Sequence, residues 1–126
     1  MTDEIYQENI LDHYKNPRNK GKIQNPTFSA KDTNPFCGDV IQIDLKVKAN
    51  KIHDIKFNGY ACAISIASAS ILTEMVKQKD LEQIRKMTKQ DLLDELQIDL
   101  SPTRIKCALL PLKVLKLAAY KEIIEI

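Results

Sequence analysis

The sequence predicts an α+β domain: a small antiparallel three-stranded sheet with helices packed on one face, an N-terminal helix before it and a long C-terminal helix at the end. Three observations carry this. A polar-started helical stretch comes first, short alternating segments follow it, and everything after Gly59 has helical spacing. One segment, "VIQIDLKVK", alternates apolar and polar residues along its length. Three later helix starts are marked by capping residues at Asp80, Thr88 and Ser101-Pro102. The 126 residues suit one domain, 1–126, with one core, and contain no internal repeat, low-complexity tract or linker.

Residues 2–15 read as the first helix. Thr2 can cap it, and Asp3 and Glu4 sit favourably near the positive end of its dipole. Ile5, Tyr6, Ile10, His13 and Tyr14 form its apolar stripe. Pro17 ends it, because proline disfavours helix at the residue before it. Residues 27–33 are a strand candidate, and Val40 to Lys48 a stronger one, with Ile41, Ile43, Leu45 and Val47 inward and Gln42, Asp44 and Lys46 outward. A turn at Ala49-Asn50 leads into "KIHDIKF", giving a hairpin whose inner face is His53, Ile55 and Phe57 and whose second strand ends at Gly59.

The stretch "ACAISIASASILTEMVKQ" reads as a helix rich in small residues, with Ile64, Ser68, Ile71 and Met75 on one stripe. Asp80 with Gln83, and Thr88 with Asp91, have the spacing at which an N-cap and the third helical residue satisfy each other's backbone N–H. Ser101-Pro102 opens the last helix, and Pro111 is expected to kink it or split it after Cys107.

Charge excludes some functions. Nineteen basic and seventeen acidic residues are interspersed, which is too little bias for nucleic acid or an anionic membrane. The first ten residues lack the basic and apolar regions of a signal peptide, and the longest uncharged run, Phe57 to Thr73, is shorter than the about 20 apolar residues a spanning helix needs and carries three serines. A soluble cytoplasmic protein is expected. Three cysteines is an odd number for a disulfide framework, so reduced thiols are the default.

Each cysteine falls at a junction: Cys37 in the turn before the best strand, Cys62 at the start of the small-residue helix, Cys107 in the first turns of the last helix. Cys37 and Asp39 flank Gly38, so a tight bend can aim both at one point. Three thiolates and a carboxylate suffice for tetrahedral Zn²⁺. They also suit ferrous iron or a labile iron–sulfur cluster. Composition and spacing leave a second reading open, in which the thiols are small buried apolar groups and Asp39 completes an Asx turn. His13 and His53 read as structural histidines, and Ser65, Ser68 and Ser70, with no histidine–acid company, as small packing residues.

"NPFCGDVIQI", "FNGYACAISIASASILTEMV" and "RIKCALLPLKVLK" resemble the three cysteine motifs of the U-type iron–sulfur cluster assembly scaffolds, the IscU/SufU family related to the NifU N-terminal domain. "LDHYKNPRNKG" is similar to that family's first helix and turn, so the resemblance covers nearly the whole chain. It implies that Cys37, Asp39, Cys62 and Cys107 hold Zn²⁺ or Fe²⁺ and, transiently, a 2Fe-2S cluster. It further implies a cysteine desulfurase as sulfur donor and cluster-recipient proteins as acceptors. Cys37 lies in a turn whereas Cys62 and Cys107 are anchored on helices, so it reads as the sulfur-accepting thiol. Arg104 and Lys106, beside Cys107, would help keep such an anionic site ionised. Lys106 stands where many IscU-like members have histidine, which resembles the SufU branch. The interval from Cys62 to Cys107 looks too short for that branch's usual insertion, and "LSPTR" replaces the LPPVK stretch by which IscU-like members bind a chaperone. Three functions follow: a cluster scaffold, a zinc-dependent sulfur shuttle that activates the desulfurase, or a structural zinc domain.

Overall fold

In a computed structural model, residues 2–35, 38–97 and 99–124 are described. The elements run α1 (Thr2–Lys15), β1 (Phe28–Asn34), β2 (Asp39–Lys48), β3 (Lys51–Tyr60), α2 (Ala63–Val76), α3 (Leu81–Lys86), α4 (Lys89–Leu96) and α5 (Pro102–Ile124). The strands form one antiparallel sheet in the order β1-β2-β3. Ala30, Ile41, Ile43, Leu45, Ile52, Ile55 and Phe57 are buried on its inner face, where α5 packs on β1 and β2, and α2 packs on β3 and α5. This is the α+β arrangement expected. Among the described residues no helix is long and apolar enough to cross a membrane.

The local punctuation acts as its chemistry requires. Asp80 Oδ1 accepts from Gln83 N at 2.8 Å while Gln83 Oε1 accepts from Asp80 N at 3.0 Å. Thr88 and Asp91 make the same reciprocal pair. The β2–β3 hairpin turns through Ala49 and Asn50, both at positive φ (52° and 63°), the signature of a type I′ turn matched to strand twist.

Four expectations change. His53 is exposed, and Ile52 takes the inner face with Ile55. The register shifts between Lys46 and Val47, since Lys46 pairs with Asp54 but Val47 with Ile52. The extra residue is His53, and a bulge of this kind reverses the alternation on one side of it. Gly59 does not end β3: it pairs with Ile41 inside the sheet at φ 137°, where a Cβ would stand 1.9 Å from Val40 O. On the outer face Asp44 is buried, because the segment between α1 and β1 crosses it; Asp44 accepts from Ile23 N and from Ser29 Oγ (3.1 and 2.6 Å). Finally, α5 does not split at Pro111.

The helix stripes are also redistributed. On α1, Ile10 is buried and Tyr14 exposed, while the side chains of Ile5 and Tyr6 lie outside the description. On α2 burial is not confined to one stripe: every residue from Ser65 to Thr73 is buried. A helix enclosed by β3, α1, α4 and α5 must keep small side chains to let its neighbours approach, which explains its alanines and serines.

Candidate metal centre

The centre is assembled by strand register. Asn34 pairs with Asp39 across β1–β2, and Val40 pairs with Tyr60 across β2–β3. One end of the sheet therefore gathers Asn34, Asp39 and the chain leaving β3. Two residues after β3, Cys62 is the N-cap of α2 in extended conformation. The first turns of α5 bring Cys107 over the same end.

One ligand atom each from Asp39, Cys62 and Cys107 lies within 4.8 Å of the others. Cys62 is half-buried and Cys107 buried. Two soft thiol donors and one carboxylate at that separation fit a tetrahedral divalent ion with room for a further ligand. Cys37, expected from the sequence as the fourth, lies outside the described residues.

The Asp39 carboxylate, 2% exposed, is tightly directed. Its Oδ1 accepts from the backbone N–H of Cys62 at 2.9 Å. Its Oδ2 accepts from Ser65 Oγ at 2.8 Å and faces Cys62 Sγ at 3.5 Å. Asp39 thus satisfies the opening of α2, where Cys62 supplies no side-chain cap of its own. A carboxylate is favoured at such a helix start by the free N–H groups and the dipole. Asp39 serves this helix start rather than an Asx turn, and it keeps Oδ2 aimed at the thiols.

Sequence reasoning missed two neighbours. Asn34 directs its side-chain amide at Cys107 Sγ, 3.7 Å away. Ser65, read as packing, touches Asp39, Cys62 and the Cys107 carbonyl. Its place three residues after Cys62, on the same helical face, was the available signal. Ser68 and Ser70 likewise do more than fill space. Ser68 Oγ donates to Ala108 O at 2.6 Å, joining α2 to α5. Ser70 Oγ accepts from Arg18 N and lies 2.7 Å from His13 Nδ1, joining α2 to α1.

Other candidates are set apart. His13 meets α2 at Ser70, eight residues and roughly 12 Å of helix from Cys62. Burial, then the nearby Arg18 charge, lowers its pKa, which favours the neutral imidazole. His53 is on the exposed bulge. Arg104 and Lys106 are exposed on α5. A groove of about 580 Å³ runs from Asn34 and Pro35 along α5, with Leu109, Leu117 and Tyr120 among its walls and Lys106 and Lys113 on its rim. Its described lining holds no thiol, carboxylate or imidazole, so it adjoins the centre without extending the ligand set.

The family model of the NifU-like N-terminal domain matches residues 5–124. The zinc-dependent sulfurtransferase SufU of Bacillus subtilis is 39% identical over 137 aligned residues, covering 95% of this chain and 92% of the relative. That alignment is longer than the 126-residue chain, so the relative has residues with no counterpart here. The iron–sulfur cluster assembly scaffold protein IscU of Haemophilus influenzae is 38% identical, covering 90% and 91%. The crystal structure of a candidate scaffold protein for the SUF system from Fervidobacterium islandicum superposes with a TM-score of 0.79 at 29% identity, covering 94% of this chain and 99% of that one.

Proposed function

The chain belongs to the NifU-like N-terminal domain family, and on that premise we propose that it is an iron–sulfur cluster assembly scaffold that takes sulfur from a cysteine desulfurase. It holds iron or zinc through Cys37, Asp39, Cys62 and Cys107, and passes the cluster to recipient proteins. The observation that carries this is the meeting of Asp39, Cys62 and Cys107 within 4.8 Å, from three separate elements. We place the protein in the cytoplasm, where such thiols stay reduced.

Cys62, at the N-cap of α2, and Cys107, on α5, are the anchored thiolate ligands. Asp39 contributes Oδ2 while Oδ1 stays on the Cys62 N–H. A hard oxygen is a poorer partner for a soft cluster iron than thiolate, which favours release of the cargo. Cys37, two positions before Asp39, is the sulfur acceptor. Its thiolate attacks the outer sulfur of the desulfurase persulfide; the S–S bond breaks, the desulfurase thiolate leaves, and the persulfide is on Cys37.

A second reading is a zinc-dependent shuttle that accelerates the desulfurase and builds no lasting cluster. Lys106 in place of histidine favours it, as does the likeness to the sulfurtransferase SufU. The residues present in that relative and lacking here favour the scaffold. Anaerobic reconstitution with desulfurase, cysteine and ferrous iron separates them. The scaffold gives visible charge-transfer absorption with two irons per cluster. Zinc retention with faster sulfide release and no absorption identifies the shuttle. No cluster and an unchanged desulfurase rate refute both and leave a structural zinc domain.

A further inference from the structure

We propose that Ser65 is the positioning residue of the metal centre, and that Pro111 is what gives it a second ligand-bearing residue to hold. The inference rests on the metal reading above for its ligand chemistry, but its hydrogen-bonding core does not.

Ser65 is fully buried, and its one hydroxyl proton faces two acceptors: Asp39 Oδ2 at 2.8 Å and Cys107 O at 2.7 Å. In a regular helix the Cys107 carbonyl receives the N–H of the residue four positions on. That residue is Pro111, inside α5, and proline has no N–H to give. Ser65 supplies a hydroxyl donor to that carbonyl instead. One turn along α2, Ser68 donates to Ala108 O at 2.6 Å, a carbonyl whose helical partner position, Leu112, still has an N–H. Proline in mid-helix is accommodated here because Ser65 of the neighbouring helix donates to the one carbonyl that proline leaves without its helical N–H.

The consequence reaches the ligands. Cys62 opens α2, Asp39 opens β2 and Cys107 is on α5. Ser65 is attached to the first by helix geometry, and its one hydroxyl proton lies between the carboxylate of the second and the backbone carbonyl of the third. Removing such outer-shell contacts costs metal sites about 10- to 100-fold in affinity.

The test has two arms, using the full chain. In the metal-free protein, the unfolding midpoint is measured for Ser65→Ala, Pro111→Ala and the double variant. Pro111→Ala returns an N–H to the Cys107 carbonyl, so Ser65→Ala is expected to lower the midpoint by several degrees in the parent and by clearly less beside Pro111→Ala. In the second arm, Co²⁺ is titrated as a spectroscopic probe. Ser65→Ala is expected to weaken Co²⁺ binding about 10-fold or more and alter the visible ligand-field bands, with Ser65→Thr restoring both. Equal midpoint losses in the two backgrounds, or Co²⁺ affinity and spectrum unchanged by Ser65→Ala, overturn the proposal. If the parent protein binds no Co²⁺, the metal reading fails, and the first arm still decides whether Ser65 answers the missing proline N–H.

Discussion

Replacing Gly59 with alanine should cost far more than a methyl group in a half-buried strand ordinarily would. Two separable terms act. The backbone at Gly59 has φ 137°, a region that L-residues rarely adopt, and holding alanine there costs about 1–3 kcal/mol. The new Cβ would also stand 1.9 Å from Val40 O and 2.9 Å from Val40 C, where ordinary contact begins at 3.4 Å. No flexible side chain can yield, because the obstacle is the backbone of the central strand. The strands must part at the Ile41–Gly59 pair, weakening hydrogen bonds at about 1 kcal/mol each beside the fully buried Ile41. Together these reach about 3–5 kcal/mol, a large share of the roughly 5–15 kcal/mol that holds a domain folded. Gly21→Ala is the control, since its φ is 144° but nothing lies within 4 Å of its Cβ. Urea denaturation followed by circular dichroism should show Gly59→Ala losing at least about 2 kcal/mol more than Gly21→Ala. Val40 follows Asp39 and Gly59 lies three residues before Cys62, so metal affinity should fall with it. Equal losses for the two alanine variants would refute the steric argument.

Two further expectations concern other parts of the molecule. His13 has its pKa lowered by burial and by Arg18, so folding favours its neutral form. Its contribution is present above the ordinary value of 6.5 and is lost as pH falls through 6.5 towards the lower folded pKa, because the unfolded chain then binds the proton more readily. His13→Asn, which can keep an acceptor towards Ser70, should flatten the stability profile between about pH 7.5 and 5.5, and an unchanged slope there would count against this role. Ala49 occupies a left-handed position in the type I′ turn; Ala49→Asn should stabilise the protein by about 0.5–1 kcal/mol, read as a raised urea midpoint, and a lowered midpoint would contradict the turn assignment.

Local chemistry was legible in the sequence wherever its partners lie a few residues apart. The capping pairs Asp80–Gln83 and Thr88–Asp91, the alternation of β2 and the turn at Ala49-Asn50 all appear where the residues place them. The misreadings fall where a distant segment intervenes. His53 was placed inward by strict alternation, which a bulge interrupts. Asp44 was placed outward into water, although the segment after α1 covers it. Pro111 was read as a kink or a split because the serine that answers it belongs to a helix some forty residues earlier. The candidate site divides in the same way. Asp39, Cys62 and Cys107 were named from their motifs, whereas Asn34 and Ser65 are ordinary polar residues whose part in the site depends on what they meet.

The sequence by itself determined the donor atoms, because thiol and carboxylate chemistry belongs to the side chain whatever surrounds it. It also determined the capped helix starts and the inner face of β2, through hydrogen bonds and periodicities spanning three or four residues. Only the tertiary structure decided that residues 39, 62 and 107 share one point, that Asp39 holds one oxygen on the start of α2 and turns the other to the sulfurs, and that Ser65 stands between β2 and α5. Those outcomes depend on strand register and helix packing, where one shifted residue moves a side chain to the opposite face.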